Sequence, residues 1–455
     1  MLDTTLFSQV DSYLTIQNGL LVAGMVYLTY WACIYVYRVT WHPLAKFPGP
    51  KLAGASFWYE FYYDLWPHYG RYMWKIKELH DEYGPIVRIN PNFIHIHDPD
   101  YFEEIYAGGK RVRDRDPWFL HNSDKGLVSG SLLQTMDHET HRMRRGALNP
   151  FFSKRAILQL EDLLVEKIDI LLDRLGRACK TSESVNLSYA VAALSFDMAT
   201  AYALGADLGN LRREDWGSDW LDAFRVVGQI RPLGRQFPFL VNTVMGYLTP
   251  EVVEWFSPST ANLSRKLMYP MRILQSVDAK VHPASVNSKT IFLDIIDSNL
   301  PPSEKTPERL NAETFSALGG VETMTRTLAV TIFYLFESPV ILQKLRAELK
   351  TVITHPGDNV TLAQLEALPY LGLRITTGIT TRMPRVAPNE DLQYKEWVIP
   401  AGIYLTIAKL LTRFDMDVSN TQKERDIDVH LDLVVGMPRA DSPGIQVKIT
   451  KDWAE

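Results

Sequence analysis

A long helical pattern between residues 307 and 337 is the feature that most constrains how this chain can fold. Thr306 and Pro307 form a typical helix start, and Pro339 ends the pattern. At about 1.5 Å per residue the predicted helix is roughly 45 Å long, enough to cross an entire domain. We predict that it is buried, because apolar residues cover much of its circumference. These residues are Leu310, Phe315, Leu318, Val321, Leu328, Ile332, Leu335 and Phe336.

Two adjacent glycines, Gly319 and Gly320, interrupt this pattern and are followed by Glu322 and Thr323. Each glycine costs a helix about 1 kcal/mol relative to alanine, so the pair needs an explanation. One explanation is structural: the glycines allow a close helix crossing, Thr323 bonds back to the preceding turn, and Glu322 forms a salt bridge. The other is functional: a flat ligand lies against the glycines, and the acid and the alcohol pass protons inward from water. The stretch by itself leaves both explanations open.

The composition limits the classes of function. The chain has 455 residues, of which 46% are hydrophobic, so a sizeable core is available. A net charge of −5 argues against a nucleic-acid-binding surface. Two cysteines, Cys33 and Cys179, are too few for a disulfide framework, and no Cys/His spacing typical of a zinc site is present. We therefore predict neither a nucleic-acid partner nor a zinc site.

An uncharged stretch from Leu14 to Tyr37 predicts a membrane anchor, because it is long enough to span a bilayer core of about 30 Å. Arg38, Lys46 and Lys51 follow it, so the positive-inside rule places the bulk of the chain in the cytosol. We predict no second span. The predicted segments are a short lumenal N-terminus (1–13), the transmembrane anchor (14–37), a stiff, extended, proline-rich linker (38–56) and the folded domain (57–455).

A basic helix is predicted from His138 to Arg145. His138 and His141 do not match the HExxH zinc motif, whose histidines are four residues apart. His141 and Arg145 are one helical turn apart and face the same way, so together they suit a carboxylate or propionate. A solvated basic face is the alternative interpretation of the same residues.

The remaining segments predict a mainly α fold with small β-sheets. The apolar segment Phe237–Phe256 is interpreted as core packing, with a substrate entrance or a membrane contact as alternatives. Cys179 lies between two predicted helices. The other predicted elements are a β-hairpin (86–89 and 93–96), a helix (341–352), a strand (393–399), a helix (403–414) and a closing strand (444–449).

Five motifs in a fixed order resemble one known family. They are the anchor, the proline-rich lead from His42 to Pro50, the helix with His141 and Arg145, the Gly319-Gly320-Val321-Glu322-Thr323 segment, and Arg382-Met383-Pro384-Arg385 before a strand and Pro400-Ala401-Gly402. Together they resemble the cytochrome P450 haem-thiolate monooxygenases, most of all the fungal microsomal members similar to trichodiene oxygenase. The resemblance extends over nearly the whole chain and implies the cytochrome P450 fold.

The resemblance also implies roles for individual residues. Gly319 and Gly320 would admit the haem face and oxygen, while Glu322 and Thr323 would match the acid–alcohol pair that delivers protons. The haem propionates would be held by His141, Arg145 and Arg385. The implied function is oxidation of a small apolar secondary metabolite, of the terpenoid or polyketide class, in the endoplasmic reticulum membrane. Electrons would come from NADPH-cytochrome P450 reductase.

Two features of the family pattern are missing from this sequence. Leu371 stands where the glutamate of the Glu-x-x-Arg pair, whose arginine would be Arg374, is expected. The segment after Gly402 continues directly into a helix, without the loop that carries the cysteine ligand of the haem iron. Cys179 has none of the sequence context of that ligand, so we predict no metal-ligating residue in this chain.

Two hypotheses follow from these departures. The first is that the chain is an internally truncated monooxygenase, inactive as written, from which a short and a long segment have been removed. The second is that it is a non-catalytic, haem-free remnant or an incomplete gene product. Sequence across the joins at Leu371/Gly372 and Gly402/Ile403 separates an omitted exon from a real deletion.

Overall fold

The computed structural model describes residues 16–101, 105–106, 111–116, 118, 130–240, 254–255, 290–356, 358, 360–372, 385–386, 402–433 and 435–454. The chain divides into two compact units, residues 1–101 and 102–455. The described part is mainly helical with four small antiparallel sheets, which confirms the predicted fold class.

The first unit begins with a long apolar helix and ends in a hairpin. Its regular elements are α1 (Ile16–Thr40), α2 (Lys51–Ala55), α3 (Trp58–Asp64), α4 (Tyr72–Tyr83), β1 (Ile86–Arg88) and β2 (Ile94–Ile96). Strands β1 and β2 pair antiparallel with Val87 opposite His95, as the hairpin prediction requires. Tyr72, Ile76 and Leu79 of α4 pack on this hairpin and form the small core of the unit.

The linker differs from its prediction. Pro43–Lys46 form a 3₁₀ turn, which the Nδ1 atom of His42 caps by accepting a hydrogen bond from the Leu44 amide at 3.1 Å. Proline has the backbone angle of a first helical turn, so a cap is enough to start one. The prediction of a lead that is extended throughout was therefore wrong, although His42, Phe47 and Pro50 have extended backbone angles.

The second unit is built from helices around two short sheets, a hairpin and a large apolar core. Its helices are α5 (His138–Leu148), α6 (Lys154–Leu158), α7 (Glu161–Thr181), α8 (Leu187–Leu204), α9 (Ser218–Gln236), α10 (Ile291–Asp297), α11 (Pro307–Gly319), α12 (Val321–Glu337), α13 (Pro339–Leu349), α14 (Leu362–Glu366), α15 (Pro369–Gly372) and α16 (Gly402–Arg413). Its strands are β3 (Asp114–Arg115), β4 (Ser184–Asn186), β5 (Arg385–Val386), β6 (Phe414–Asp417), β7 (Leu431–Leu433), β8 (Val435–Met437) and β9 (Gln446–Asp452).

The main core of the second unit lies between α7, α8, α12 and α16, and the β4-β9-β6 sheet covers one side of it. Two single helices in the described chain are long and apolar enough to span a bilayer. None of residues 18–40 is buried in the protein, whereas 78% of α8 is. The apolar surface of α8 is thus already used by the core, and α1 remains the candidate anchor.

The long helix of the prediction starts and ends where expected. Thr306 caps its start by accepting a hydrogen bond from the Arg309 amide at 3.3 Å. It is not continuous, however, because Gly320 separates α11 from α12. Two adjacent glycines give the backbone no side chains to stiffen it, so the break occurs at them. A nearly buried helix pair replaces the predicted single helix.

Several predicted features lie outside the described residues. These are the strand 393–399, Arg374, Arg382, Pro400 and most of Phe237–Phe256. In the described part of that last segment, Phe239, Leu240 and Trp255 are exposed, so core packing is the wrong interpretation for these three residues.

Candidate functional site

The junction of α11 and α12 presents an open glycine surface. Gly319 and Gly320 are both exposed, and no atom of the described chain lies within 4 Å of a Cβ built on Gly319. A close helix crossing needs neighbouring atoms at that position, so this structural explanation is wrong for Gly319. A side chain there would occupy the space in front of the helix, which is the space that a flat ligand needs.

Glu322 lies one residue into α12 and is half-buried. In the described part of the chain, no hydrogen bond or ion pair reaches its carboxylate. Burial raises the pKa of Glu322 to about 7, and the positive charge of Arg225 on α9 acts in the opposite direction. Arg225 also donates a hydrogen bond to Asp222 at 3.3 Å, so its charge is shared. The salt bridge of the structural explanation is thus not seen, and Glu322 titrates near neutral pH.

The hydroxyl of Thr323 donates a hydrogen bond to the carbonyl oxygen of Gly320 at 2.7 Å. This is the back-bond that the structural explanation predicts for Thr323. It holds the alcohol next to the glycine step. The acid and the alcohol are therefore adjacent in the chain but differ in their partners, since Thr323 has one and Glu322 has none within the described ranges.

His141 and Arg145 both lie on α5, as predicted, but their surroundings differ. The Nε2 atom of His141 accepts a hydrogen bond from the Arg115 guanidinium at 3.2 Å. Arg145 is exposed, and its guanidinium lies 5.9 Å from the centre of the Phe152 ring. An exposed guanidinium one helical turn from a histidine that contacts Arg115 fits an anionic group better than it fits a second protein cation.

Arg115 is a site residue that the sequence prediction missed. It lies on β3, directly opposite Arg385 of β5 in the antiparallel register, so the structure places the Arg385 backbone beside the His141 partner. The available signal was the alternation of arginines at 111, 113 and 115, which places them on one side of a short strand. The side chain of Arg385 lies outside the described residues.

A 3₁₀ turn, Leu132–Gln134, connects this basic cluster with the glycine-bearing helix pair. Arg115 donates to the carbonyl oxygen of Leu132 at 3.2 Å, and the Leu132 amide donates to the Glu313 carboxylate of α11 at 2.9 Å. Arg309 donates to the same Glu313 oxygen. The two groups of predicted site residues are therefore joined through the 3₁₀ turn at Leu132.

A second contact fixes α5 against α11. Arg144 makes two parallel hydrogen bonds to Glu304, at 2.7 and 2.8 Å, and Arg309 donates to Glu304 at 3.1 Å. Burial alone would raise the pKa of Glu304, but its hydrogen bonds and ion pairs with Arg144 and Arg309 outweigh burial and lower that pKa. The helix that carries His141 and Arg145 is held by this pair of charge contacts.

The two cysteines lie on elements other than the helix pair that carries the glycine step. Cys33 is exposed on α1, in the first unit. Cys179 lies inside α7, so its predicted position between two helices was wrong, and it packs on the main core. Leu318 and Val321, which flank the glycines, pack instead in a separate cluster with α8 and α9. Within the described ranges, no three His, Cys, Asp or Glu side chains are grouped to hold a metal ion.

These residues fit part of a haem site. The open glycine surface fits the flat face of a porphyrin, and the basic residues around His141 fit its propionates. Leu318 and Val321, on either side of the glycines, belong to a different apolar cluster from Cys179. A haem supplies oxygen-activation chemistry when a thiolate ligates its iron.

Known proteins resemble the chain over most of its length. The family model described as cytochrome P450 matches residues 52–418. Conidiogenone synthase PchP450 of Penicillium rubens is 37% identical over 393 residues, which are 85% of this chain and 77% of that protein. Cytochrome P450 monooxygenase TRI4 of Fusarium sporotrichioides is 37% identical over 84% of this chain, which is 74% of the length of that protein. Cytochrome P450 monooxygenase TRI4 of Trichoderma arundinaceum is 34% identical over 92% of this chain and 80% of that protein.

Proposed function

This chain belongs to the cytochrome P450 family, and from that premise we propose that it derives from a membrane-anchored monooxygenase of an apolar secondary metabolite, terpenoid or polyketide. The observation that carries the proposal is the open surface at Gly319 beside a half-buried acid that titrates near pH 7. An acid with a pKa near the working pH is suited to proton delivery.

Each predicted site residue has a role in this proposal. Gly319 and Gly320 leave room for the haem face, and Glu322 and Thr323 hold and move protons beside it. His141, Arg145 and Arg385 bind the propionates, and we add Arg115 as a residue that orients His141. The hydrogen bond from Arg115 to His141 supports this addition.

We further propose that the chain as written does not catalyse, because it lacks the axial thiolate. The positions of Cys33 and Cys179 support this, as does the aliphatic Leu371 in place of the expected glutamate. Leu371 is buried, and its amide donates to the Glu348 carboxylate at 2.9 Å. The alternative, a haem-free remnant or an incomplete gene product, predicts the same lack of activity and differs in whether haem binds at all.

The proposed location is the endoplasmic reticulum membrane, with one anchor, a lumenal stretch of residues 1–13, the linker 38–56 and the domain 57–455 in the cytosol. The uncovered apolar helix at residues 18–40 supports the anchor. The proposed electron donor is NADPH-cytochrome P450 reductase, which the family implies.

The test is a carbon-monoxide difference spectrum of the reduced, purified full-length chain, with the Cys179→Ser variant as matched control. We expect no thiolate band in either protein, because we propose that neither Cys33 nor Cys179 ligates the haem iron. A thiolate band in the parent that is lost in Cys179→Ser would overturn the proposed absence of an axial ligand. Haem content by pyridine haemochrome then separates the truncated monooxygenase from the haem-free alternative.

A further inference from the structure

Three histidines of the first unit meet where helix α4 packs on the hairpin. His80 lies in the last turn of α4, His95 lies on β2, and His97 follows β2 directly. The ring centre of His80 is 5.0 Å from that of His95 and 5.1 Å from that of His97. His80 is 7% exposed, so this ionisable ring is buried in the contact between the helix and the hairpin. The proposed monooxygenase chemistry uses none of the three residues.

The hydrogen bonds of His80 determine which of its ring nitrogens carries a hydrogen. Nδ1 of His80 lies 2.7 Å from the carbonyl oxygen of Gly84. A carbonyl oxygen can only accept a hydrogen bond, so Nδ1 carries the hydrogen and donates it. Nε2 of His80 lies 2.7 Å from Nδ1 of His95. In the neutral ring Nε2 is then an acceptor, so His95 donates to His80.

The hydrogen bond between the two rings survives one added proton but not two. When either ring alone is protonated, one of the two facing nitrogens can still accept. When both rings are protonated, two N–H groups face each other across 2.7 Å, and two positive charges lie side by side. Double protonation therefore replaces an attraction between α4 and β2 with a repulsion.

The surroundings of His80 oppose its protonation. Burial lowers the pKa of His80 from its ordinary value of 6.5 and is the largest cause of the shift. The hydrogen bond to the Gly84 carbonyl and the charge of Asp81 act in the opposite direction, and His97 adds to the lowering. Asp81 of α4 and His95 and His97 of the hairpin are thus the titratable groups that act on this ring.

The remainder of the contact between α4 and the hairpin does not involve the histidines. Ile76 and Leu79 pack in one apolar cluster with Val87 and Ile89. The hydroxyl of Tyr72, at the other end of α4, donates to the carbonyl oxygen of Ile89. Apolar packing keeps its strength over the pH range in which histidine titrates, whereas the histidine pair does not.

We propose that His80 and His95 form a proton-sensitive clasp, which holds the hairpin against α4 at neutral pH and opens when both rings are protonated. Once the hairpin has separated from α4, His80 is exposed to water and regains its ordinary pKa. The separated form therefore binds more protons, so the clasp weakens as the pH falls below 6.5. The clasp is thus a conformational switch within the first unit, and it operates with or without haem.

The experiment is hydrogen-exchange mass spectrometry of the full-length chain in detergent micelles, at half-unit steps from pH 7.5 to pH 5.0. The intrinsic rate of an unstructured peptide at each pH, divided by the observed rate, gives the protection of the hairpin. Helix α7 of the second unit is the internal control. The parent is compared with His80→Gln, His95→Gln and His97→Gln. Within the described residues, the His97 ring contacts His80 without a hydrogen bond, so His97→Gln is the matched control.

We expect the protection of the hairpin in the parent to fall several-fold between pH 7.5 and pH 5.0. His80→Gln should have lower protection than the parent at pH 7.5 and show little further change. His95→Gln should fall less than the parent, because a glutamine amide can accept from a protonated His80. His97→Gln should still fall several-fold.

Constant protection of the hairpin in the parent would overturn the clasp. An equal fall in the parent and His95→Gln would also overturn it, because burial of His80 alone would then explain the acid response. A parallel fall in α7 would overturn it as well, because acid would then act on the whole chain.

A second measurement tests the clasp in the parent itself. Nitrogen magnetic resonance of the chain grown with isotope-labelled histidine shows which ring nitrogens carry a hydrogen. At pH 7.5 we expect the hydrogen of His80 on Nδ1, in a signal that is absent from His80→Gln. A hydrogen on Nε2 of His80 at this pH would overturn the clasp, because the acceptor for His95 would be missing.

Discussion

Two glutamates on opposite sides of the glycine step, Glu313 on α11 and Glu322 on α12, have opposite surroundings. Glu313 is 3% exposed and accepts hydrogen bonds from Arg309 and from the Leu132 amide. Glu322 is half-buried, and in the described part of the chain no donor reaches it. The same residue type on one helix pair is thus a satisfied structural charge in one turn and a titrating group in the other.

The difference separates residues that hold the fold from residues that are available for chemistry. A buried carboxylate that pairs with an arginine and a backbone donor holds the fold, because removing it leaves the arginine uncompensated. A partly buried carboxylate without donors has a raised pKa and exchanges its proton near neutral pH. Gly319, in front of which the space is open, is three residues from Glu322 and six from Glu313 along the chain.

The largest expected effect comes from removing the satisfied charge. Glu313→Gln leaves Arg309 buried with one ion partner fewer, so we expect a loss of about 3–5 kcal/mol in the free energy of unfolding. The measurement is urea unfolding of the full-length chain at pH 7.5, followed by far-ultraviolet circular dichroism. Glu308→Gln, at an exposed position of the same helix, is the control and should cost less than about 1 kcal/mol. Equal losses in both variants would mean that Glu313 is not a structural charge.

Glu322→Gln should have a smaller effect of the opposite sign, and only above pH 5. The unfolded chain releases the Glu322 proton near pH 4.5 and the folded chain near pH 7. Between these values the folded protein binds more protons, so ionisable Glu322 makes stability fall as the pH rises. Above pH 7, ionisation of Glu322 lowers the free energy of unfolding by up to about 3 kcal/mol. Glutamine at this position removes that loss. The variant should therefore match the parent at pH 4 and exceed its stability at pH 8.

The control for Glu322→Gln is Glu337→Gln, at the exposed end of the same helix. Its stability should follow that of the parent over the whole pH range. If Glu322→Gln also runs parallel to the parent between pH 4.5 and 8, then the pKa of Glu322 is not raised. The measurement is the urea midpoint at half-unit pH steps.

The smallest effect concerns the glycine step itself. Gly319→Ala should raise the free energy of unfolding by about 0.5–1 kcal/mol, because alanine favours the helix and its Cβ meets no described atom. Gly176→Ala is the matched control within α7. Its Cβ would lie 2.9 Å from Asp452 and 3.1 Å from Arg413, so it should destabilise the protein. A loss of stability for Gly319→Ala would restore the close-crossing explanation.

Local signals in the sequence predicted much of the fold. The uncharged stretch predicts α1, Thr306 and Pro307 predict the start of α11, and the strand pattern around Asn90 predicts the first hairpin. Where local signals competed, the predictions failed. His42 starts a 3₁₀ turn in a segment whose prolines indicate extended chain, and Gly320 breaks a helix whose apolar pattern continues through it.

The site was predicted less completely, because its contacts join distant parts of the chain. Gly319, Glu322 and Thr323 are marked by composition within one helical segment. Arg115 was missed because its partner His141 is 26 residues away. The roles of these residues toward a haem stay a prediction.

The sequence by itself determined the family, the membrane-anchor candidate and the position of the glycine step, since each depends on residue type and spacing along the chain. Only the tertiary structure decided that Glu313 is paired and that Glu322 has no partner among the residues that the structure describes. The physical reason is that the Leu132 amide, which donates a hydrogen bond to Glu313, is 181 residues away along the chain. Solvation and hydrogen bonding of a carboxylate depend on such distant neighbours, and these exist only once the chain has folded.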